Sequence, residues 1–280
     1  MTIAVCYLSP EGVVLGADST TTVGGGADAH FFNHAQKLFE IGSNSTLALV
    51  TWGLAGFGTV SHRTNVALLA DDLAANPPGS VLDVATRFRD LVWPLFDAIP
   101  EVNLVRQLHA KAKRTPAEEE QYVQLKAVLV LGFCIAGHCL PDRVSTACEI
   151  VFDPIGGKPN PVGFQPNTHK WYGVPNMIAR LIFGCDENLK KAILSSGKWS
   201  GSEVDLQQII NSQTLSHPIL PIRDAIDFVH SCIRSTGKAL KFSNFSQVCG
   251  GSPEIAVITT DRAFRWVRHK SWDTAIVDGG

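Results

Sequence analysis

The order of elements legible in the sequence predicts a mixed α/β fold, with sheets stacked together and helical layers outside them. Three observations carry this expectation. The chain opens with short apolar runs separated by turn residues, then changes to the period of buried helices, and later repeats that alternation before a closing strand pair. Its 280 residues are enough for a sizeable core. Hydrophobic residues at 45% against 18% charged fit a globular chain that buries much of its surface.

The first two strands are Ile3–Leu8 and Val13–Ala17, joined by Ser9-Pro10-Glu11-Gly12, which is good hairpin turn chemistry. Gly24-Gly25-Gly26 marks a loop. A second strand pair follows, Lys37–Ile41 and Thr46–Thr51, around Gly42-Ser43-Asn44-Ser45. From Gly58 to Ala75, Val66, Leu69, Ala70 and Leu73 recur at helical spacing. Pro77-Pro78-Gly79 ends that helix, and Ser80 with Asp83 starts another by capping logic. Phe88, Leu91, Val92 and Phe96 lie on its buried side, and Pro94 is expected to kink or shorten its end. Residues 101–126 are charged and mixed; a solvated helical hairpin is preferred there over a partner-docking surface.

Strands return at Ala127–Cys139 and Ala147–Phe152. The Pro/Gly/Asn-rich stretch 153–169 reads as a surface loop, with a short strand at Trp171-Tyr172-Gly173 after it. Helices are predicted at Glu187–Ser195 and Arg223–Leu240, the second with Phe228, Val229, Cys232 and Ile233 as its buried stripe. Glu254–Thr260 and Arg262–Val267 close the chain as a hairpin. The expected order is therefore strands, two helices, strands, two helices, strands.

Composition narrows the function. A formal charge of -2 argues against nucleic acid as the main partner, since neutralising phosphates needs a basic excess. No run approaches the roughly 20 apolar residues that span a bilayer, and no positively charged start precedes an apolar core, so a cytoplasmic protein is expected. The seven cysteines sit in apolar contexts and read as buried free thiols. Cys134, His138 and Cys139 match no zinc spacing, and His30 with His34 follow glycines that favour a loop; neither a metal nor a cofactor is expected.

Four sites suggest chemistry. Thr2 stands behind Met1, and removal of Met1 would give a first residue carrying both a hydroxyl and a free α-amine, a nucleophile with its own base. Asp18 ends the second strand in Gly-Ala-Asp-Ser, Lys37 begins the third, and Gly53 lies where the fourth strand gives way to the first long helix. A buried Lys37 beside the amine would supply a positive field that lowers the pKa of amine and hydroxyl. Asp18 would keep Lys37 charged, because an unpaired buried ammonium tends to lose its proton. The Gly53 backbone N–H would then serve as an oxyanion donor, worth roughly 3 kcal/mol. Taken singly, Asp18 reads as a turn acceptor, Lys37 as a strand-end lysine and Gly53 as a turn glycine. Taken jointly, the four favour a site.

In this order and spacing, Thr2, Asp18, Lys37 and Gly53 resemble the catalytic pattern of proteasome β-subunits and their bacterial peptidase relatives, members of the N-terminal nucleophile (Ntn) hydrolases. The match from Thr2 to Ser19 is ungapped and includes Gly12; it extends to about residue 60, with a looser match of element order beyond. The resemblance implies a four-layer αββα sandwich as one domain over residues 1–280, with an insertion at about 101–126. It implies a threonine peptidase acting on peptide or unfolded-protein substrates, assembled into a homo-oligomeric ring, with an ATP-dependent unfoldase as a possible partner. Ser19 would support the nucleophile, together with positions held here by Cys185, Ser246 and Cys249. The family has serines where Cys185 and Cys249 stand and an aspartate in place of Ser246, and thiols are weaker hydrogen-bond partners than hydroxyls. Thr22 would pair with substrate backbone, and Ala35 and Thr51 would flank the first specificity pocket. Two alternatives stay open: a non-catalytic ring-forming subunit, and a small-amide hydrolase of the acylase type on the same sandwich.

Overall fold

The computed structural model describes residues 2–23, 30–243 and 249–271. Ile3–Ser9 (β1) and Gly12–Ala17 (β2) form the opening hairpin, with Ala4 opposite Ala17 and Leu8 opposite Val13. Both strands are buried along their whole length. That is why they read as continuous apolar runs and not as an alternation. Thr21–Val23 (β3) and His30–Phe32 (β4) make a two-stranded ribbon, so His30 belongs to a strand and not to the expected loop. Leu38–Glu40 (β5) and Leu47–Gly53 (β6) are the second predicted pair, and Lys37 sits just before β5.

A small hairpin, Gly56–Phe57 (β7) with Val60–Ser61 (β8), stands between β6 and the first helix, His62–Ala75 (α1). Gly53 therefore ends a strand but does not abut the helix. Ser80 caps Val81–Asp97 (α2), accepting from the Asp83 N–H at 3.1 Å. Pro94 lies within its last turn without ending it early. Pro100–Ala110 (α3) and Pro116–Val128 (α4) form the helical hairpin expected over 101–126; Thr115 and Glu118 close a capping box, and both helices have proline in their first turn, where a missing N–H costs nothing. The strand expected from Ala127 starts later, because Ala127 and Val128 finish α4; Leu131–Gly137 (β9) follows.

Thr146–Phe152 (β10) agrees with prediction, the loop after it holds a two-residue strand, Val162–Gly163 (β11), and His169–Gly173 (β12) begins two residues before its expected start. Asn176–Phe183 (α5) and Glu203–Ser212 (α7) were not predicted; Glu187–Ser195 (α6) and Ile222–Lys241 (α8) were. Glu254–Thr259 (β13) and Arg262–Arg268 (β14) close the chain.

Two five-stranded sheets result, β12-β1-β2-β13-β14 and β11-β10-β9-β6-β5, with antiparallel neighbours throughout. Three apolar cores separate four layers. Val84, Phe88 and Phe96 of α2 meet Phe133 and Phe152 of the second sheet. Cys6, Leu15, Val50, Cys134 and Ala256 fill the space between the sheets. Val229, Cys232 and Ile233 of α8 cover Ile3, Val5 and Val14 on the outer face of the first sheet. The order is helices, sheet, sheet, helices.

Candidate functional site

Antiparallel pairing places the start of one strand beside the end of its neighbour. Thr2 precedes β1, Asp18 follows β2 and Glu254 begins β13 opposite Ala17, so all three lie at one end of the first sheet. Lys37, before β5, is held to the end of β6 by a Thr51 N–H donating to the Lys37 carbonyl at 2.9 Å. Thr2, Asp18 and Lys37, predicted from three separate stretches, thus lie at one end of the stacked sheets, with Glu254 beside them.

Asp18 is 1% exposed and Lys37 6% exposed, so their pairing takes place out of bulk water. Lys37 Nζ donates to Asp18 Oδ1 at 2.7 Å and also to the Thr20 carbonyl. The carboxylate is fully used. Oδ1 also accepts from the Ile3 N–H at 3.1 Å, and Oδ2 accepts from the Thr20 N–H at 3.2 Å and the Gly250 N–H at 2.9 Å. Burial holds the Lys37 ammonium below the usual lysine range, opposed by the Asp18 charge and hydrogen bond and by Glu254. The same carboxylate that steadies Lys37 also fixes the peptide joining Thr2 to Ile3.

Thr2 is buried, and its carbonyl accepts from the Val174 N–H at 2.9 Å. Gly173 makes that approach possible: its φ is +82°, and a Cβ there would lie 1.7 Å from the Thr2 oxygen. Gly53 is exposed at the end of β6 with φ +87°, and a Cβ on it would lie 2.0 Å from the Val130 oxygen.

The residues expected to support the nucleophile divide. Ser19 Oγ donates to the Ser252 carbonyl, its N–H to the Gly250 carbonyl at 2.9 Å, and its carbonyl accepts from the Ala35 N–H at 2.9 Å; it ties the 249–252 loop to the segment that leads to Lys37. Cys249 is fully buried, and burial pushes its thiol up to about 12, with Asp18 raising it and Lys37 lowering it. Cys185 does not join them in this way: it follows the α5 cap Gly184, and its thiol donates to the Asp186 carbonyl at 3.3 Å. Ser246 lies outside the described residues. Thr51 Oγ1 donates to the Gly132 carbonyl at 3.1 Å, and the Thr22 hydroxyl is buried without a partner. Ala35 is half-buried beside Lys37.

Sequence reasoning missed Glu254, His269 and Lys270. Glu254 is 0% exposed; His269 Nδ1 is 2.8 Å and Lys270 Nζ 3.8 Å from its Oε1, and neither is directed as a hydrogen bond. The available signal was a carboxylate at the head of the otherwise apolar run Glu254-Ile255-Ala256-Val257-Ile258. Among the described residues, no group of three or more His, Cys, Asp and Glu is arranged to hold a metal, and no helix is long and apolar enough to cross a membrane.

The layers and sheet order define a proteasome-like αββα fold. A solved structure of an Anbu mutant from Hyphomicrobium sp. strain MC1 shares it with a TM-score of 0.53 and 13% identity, over 96% of this chain and 86% of that one. Anbu (ancestral beta-subunit) from Yersinia bercovieri is similar at TM-score 0.48 and 13% identity, over 99% and 92%. No family model and no curated protein matches the sequence.

Proposed function

We propose that the chain is an Ntn hydrolase that cleaves peptide amide bonds with Thr2 after removal of Met1, residues 1–280 acting as one domain with the α3–α4 hairpin inserted. The observation that carries this reading is the buried 2.7 Å pair of Lys37 and Asp18, whose carboxylate also grips the Ile3 N–H next to Thr2. Burying an ion pair is costly and stabilises a fold weakly at best, so it calls for a further role. Here that role is to fix an ammonium beside a hydroxyl and an amine.

Asp18 and Thr20 take two of the three Lys37 N–H donors, and the third is assigned to the Thr2 hydroxyl. The Thr2 α-amine, with a free pKa of about 8, takes the hydroxyl proton as Oγ1 attacks the substrate carbonyl. The tetrahedral oxyanion is received by the Gly53 N–H. The C–N bond breaks, the leaving amine takes the proton from the α-ammonium, and an ester to Thr2 remains. Water, deprotonated by the same amine, attacks the ester and releases the acid and the free hydroxyl. Thr22, Ala35 and Thr51 flank the substrate, and Ser19 and Cys249 support Lys37 and Asp18. No step uses a cofactor. Peptide or unfolded-protein substrates, a homo-oligomeric ring, an ATP-dependent unfoldase and a cytoplasmic location belong to the same proposal. A second reading, a ring-forming subunit without activity, is favoured by one observation: a thiol, not a hydroxyl, at Cys249 beside the ion pair.

The test is intact-mass analysis after incubation with a threonine-directed epoxyketone, with Thr2→Ala as control. Loss of Met1 and one stoichiometric adduct, absent in the control, is the expected result. Retention of Met1 sinks the hydrolase and leaves the second reading; a Thr2 that is exposed but unlabelled removes the peptidase and leaves the ring-forming subunit or the small-amide hydrolase.

A further inference from the structure

Glu254 is a fully buried carboxylate with neither oxygen hydrogen-bonded. Such a group is costly unless something offsets it, and an unsatisfied buried polar group calls for an explanation. Its surroundings supply one. It heads β13 directly opposite Ala17, so it stands one residue from Asp18 across the sheet. His269 and Lys270, arriving after β14, turn inward onto it. Lys270 Nζ then donates to the Ala35 carbonyl at 3.2 Å, two residues before Lys37, while the Ala35 N–H holds the Ser19 carbonyl at 2.9 Å. The end of the last strand is thereby latched to the segment that carries Lys37. A cavity of about 170 Å³, lined by His34, Gln36, Arg63, Glu254, His269 and Lys270, lies behind this latch.

We propose that Glu254 is a positioning residue for the Thr2 site: a second buried carboxylate at the same end of the sheet as Asp18, which draws in Lys270 to pin the Ala35–Lys37 segment. The groups facing Lys37 are then Asp18 from the end of β2, the Thr20 carbonyl, Cys249 from the loop before β13, Glu254 from β13 with His269 against it, Lys270 from beyond β14, and the Thr2 α-amine that the hydrolase reading puts beside it. Each carboxylate favours the Lys37 ammonium and each neighbouring cation disfavours it, so Lys37 answers to each neighbour with a defined sign. Removing the Glu254 charge releases the Lys37 proton at lower pH. Removing the Lys270 charge retains it to higher pH. A loss of packing alone has no reason to act in opposite directions.

The inference rests on the hydrolase reading for its catalytic consequence, but its test does not need activity. In full-length protein carrying ¹³Cε-labelled lysine, the Lys37 resonance is assigned by its loss in Lys37→Arg and followed through pH. The Lys37 midpoint is expected to fall by about half to one pH unit in Glu254→Gln and to rise by a similar amount in Lys270→Met. A midpoint that stays put in either variant, or moves the same way in both, overturns the proposal. If Glu254→Gln does not fold, the direction in Lys270→Met decides alone, since that side chain sits at the cavity wall. Epoxyketone labelling of the same samples separates the two ideas. Opposed Lys37 shifts without Thr2 labelling in the wild type leave the electrostatic role standing and remove the peptidase; Thr2 labelling without those shifts does the reverse.

Discussion

The Lys37–Asp18 pair makes a quantitative demand on stability. In Asp18→Asn the side chain keeps its shape, but a buried ammonium loses its counter-charge, and an amide nitrogen replaces one of two oxygens that each accept two donors. Breaking a buried pair from one side costs about 3–5 kcal/mol. With an unfolding entropy of about 2.1 cal/mol/K per residue, 280 residues give about 0.6 kcal/mol/K, so the melting temperature falls by about 5–8 °C. Lys37→Met removes the ammonium but leaves Asp18 with three backbone donors, and costs less, about 2–3 kcal/mol. In the double variant no charge is stranded, so its loss falls short of the sum of the singles by about 2 kcal/mol or more. The assay is urea unfolding of wild type, both singles and the double at pH 7. A coupling energy below about 0.5 kcal/mol would mean that the two groups are solvated and independent, and the reasoning that makes Lys37 a buried catalytic cation would fail with it.

Three further outcomes follow from the same geometry. Gly173→Ala places a methyl group against the Thr2 carbonyl in a backbone region that L-residues avoid, so it is expected to slow epoxyketone labelling of Thr2 by about a hundredfold; wild-type labelling would show that the N-terminal strand is not held by that approach. Cys249, with its thiol pushed up to about 12, is expected to resist iodoacetamide at pH 8 in the folded protein while half-exposed Cys185 is modified, as peptide mapping would show; alkylation of both at equal rates contradicts its burial. His169, stacked on Tyr7 and His217 and half-buried, is held at about 4 against an ordinary 6.5, mainly by burial. A depressed value in the folded state means stability present above pH 6.5 and lost as pH falls toward 4. After discounting for partial exposure the loss is about 1–2 kcal/mol, and His169→Phe should remove it; parallel urea-stability curves for the two proteins between those pH values would rule it out.

What could be read in advance follows from how local each signal is. The β1–β2 hairpin, the Ser80 cap and the stripe of α8 are written within a few residues of where they act, so their elements were placed to within a residue or two. The helix α5 was missed because its eight residues follow Val174-Pro175 with no side-chain cap, and its apolar face was too short to show a period. For α7 the local signal is the Ser202/Asp205 capping box. Ala127 and Val128 read as strand because apolar residues at a helix end and at a strand start look alike in a short window. The site was legible as far as its chemistry sits at strand ends: Thr2, Asp18 and Lys37 each border a predicted strand, and antiparallel pairing brings such borders together. Glu254 borders a predicted strand just as they do. It escaped notice because a glutamate after a proline is ordinary at a strand start, and its meaning depends on Lys270 reaching back to Ala35 across 235 positions of chain. Gly173 escaped for the same reason, since only the arrival of Thr2 against it makes a glycine necessary. A sequence shows which residues have the chemistry; whether they are deprived of water, and by what, is settled by strands that pair far along the chain. That is also why Cys185 and Cys249, both cysteines, stand differently. Cys249 is buried within reach of the ion pair and can modulate it, whereas Cys185 spends its thiol on the turn that follows α5. Of the two thiols, the one that bears on Lys37 is therefore that of Cys249.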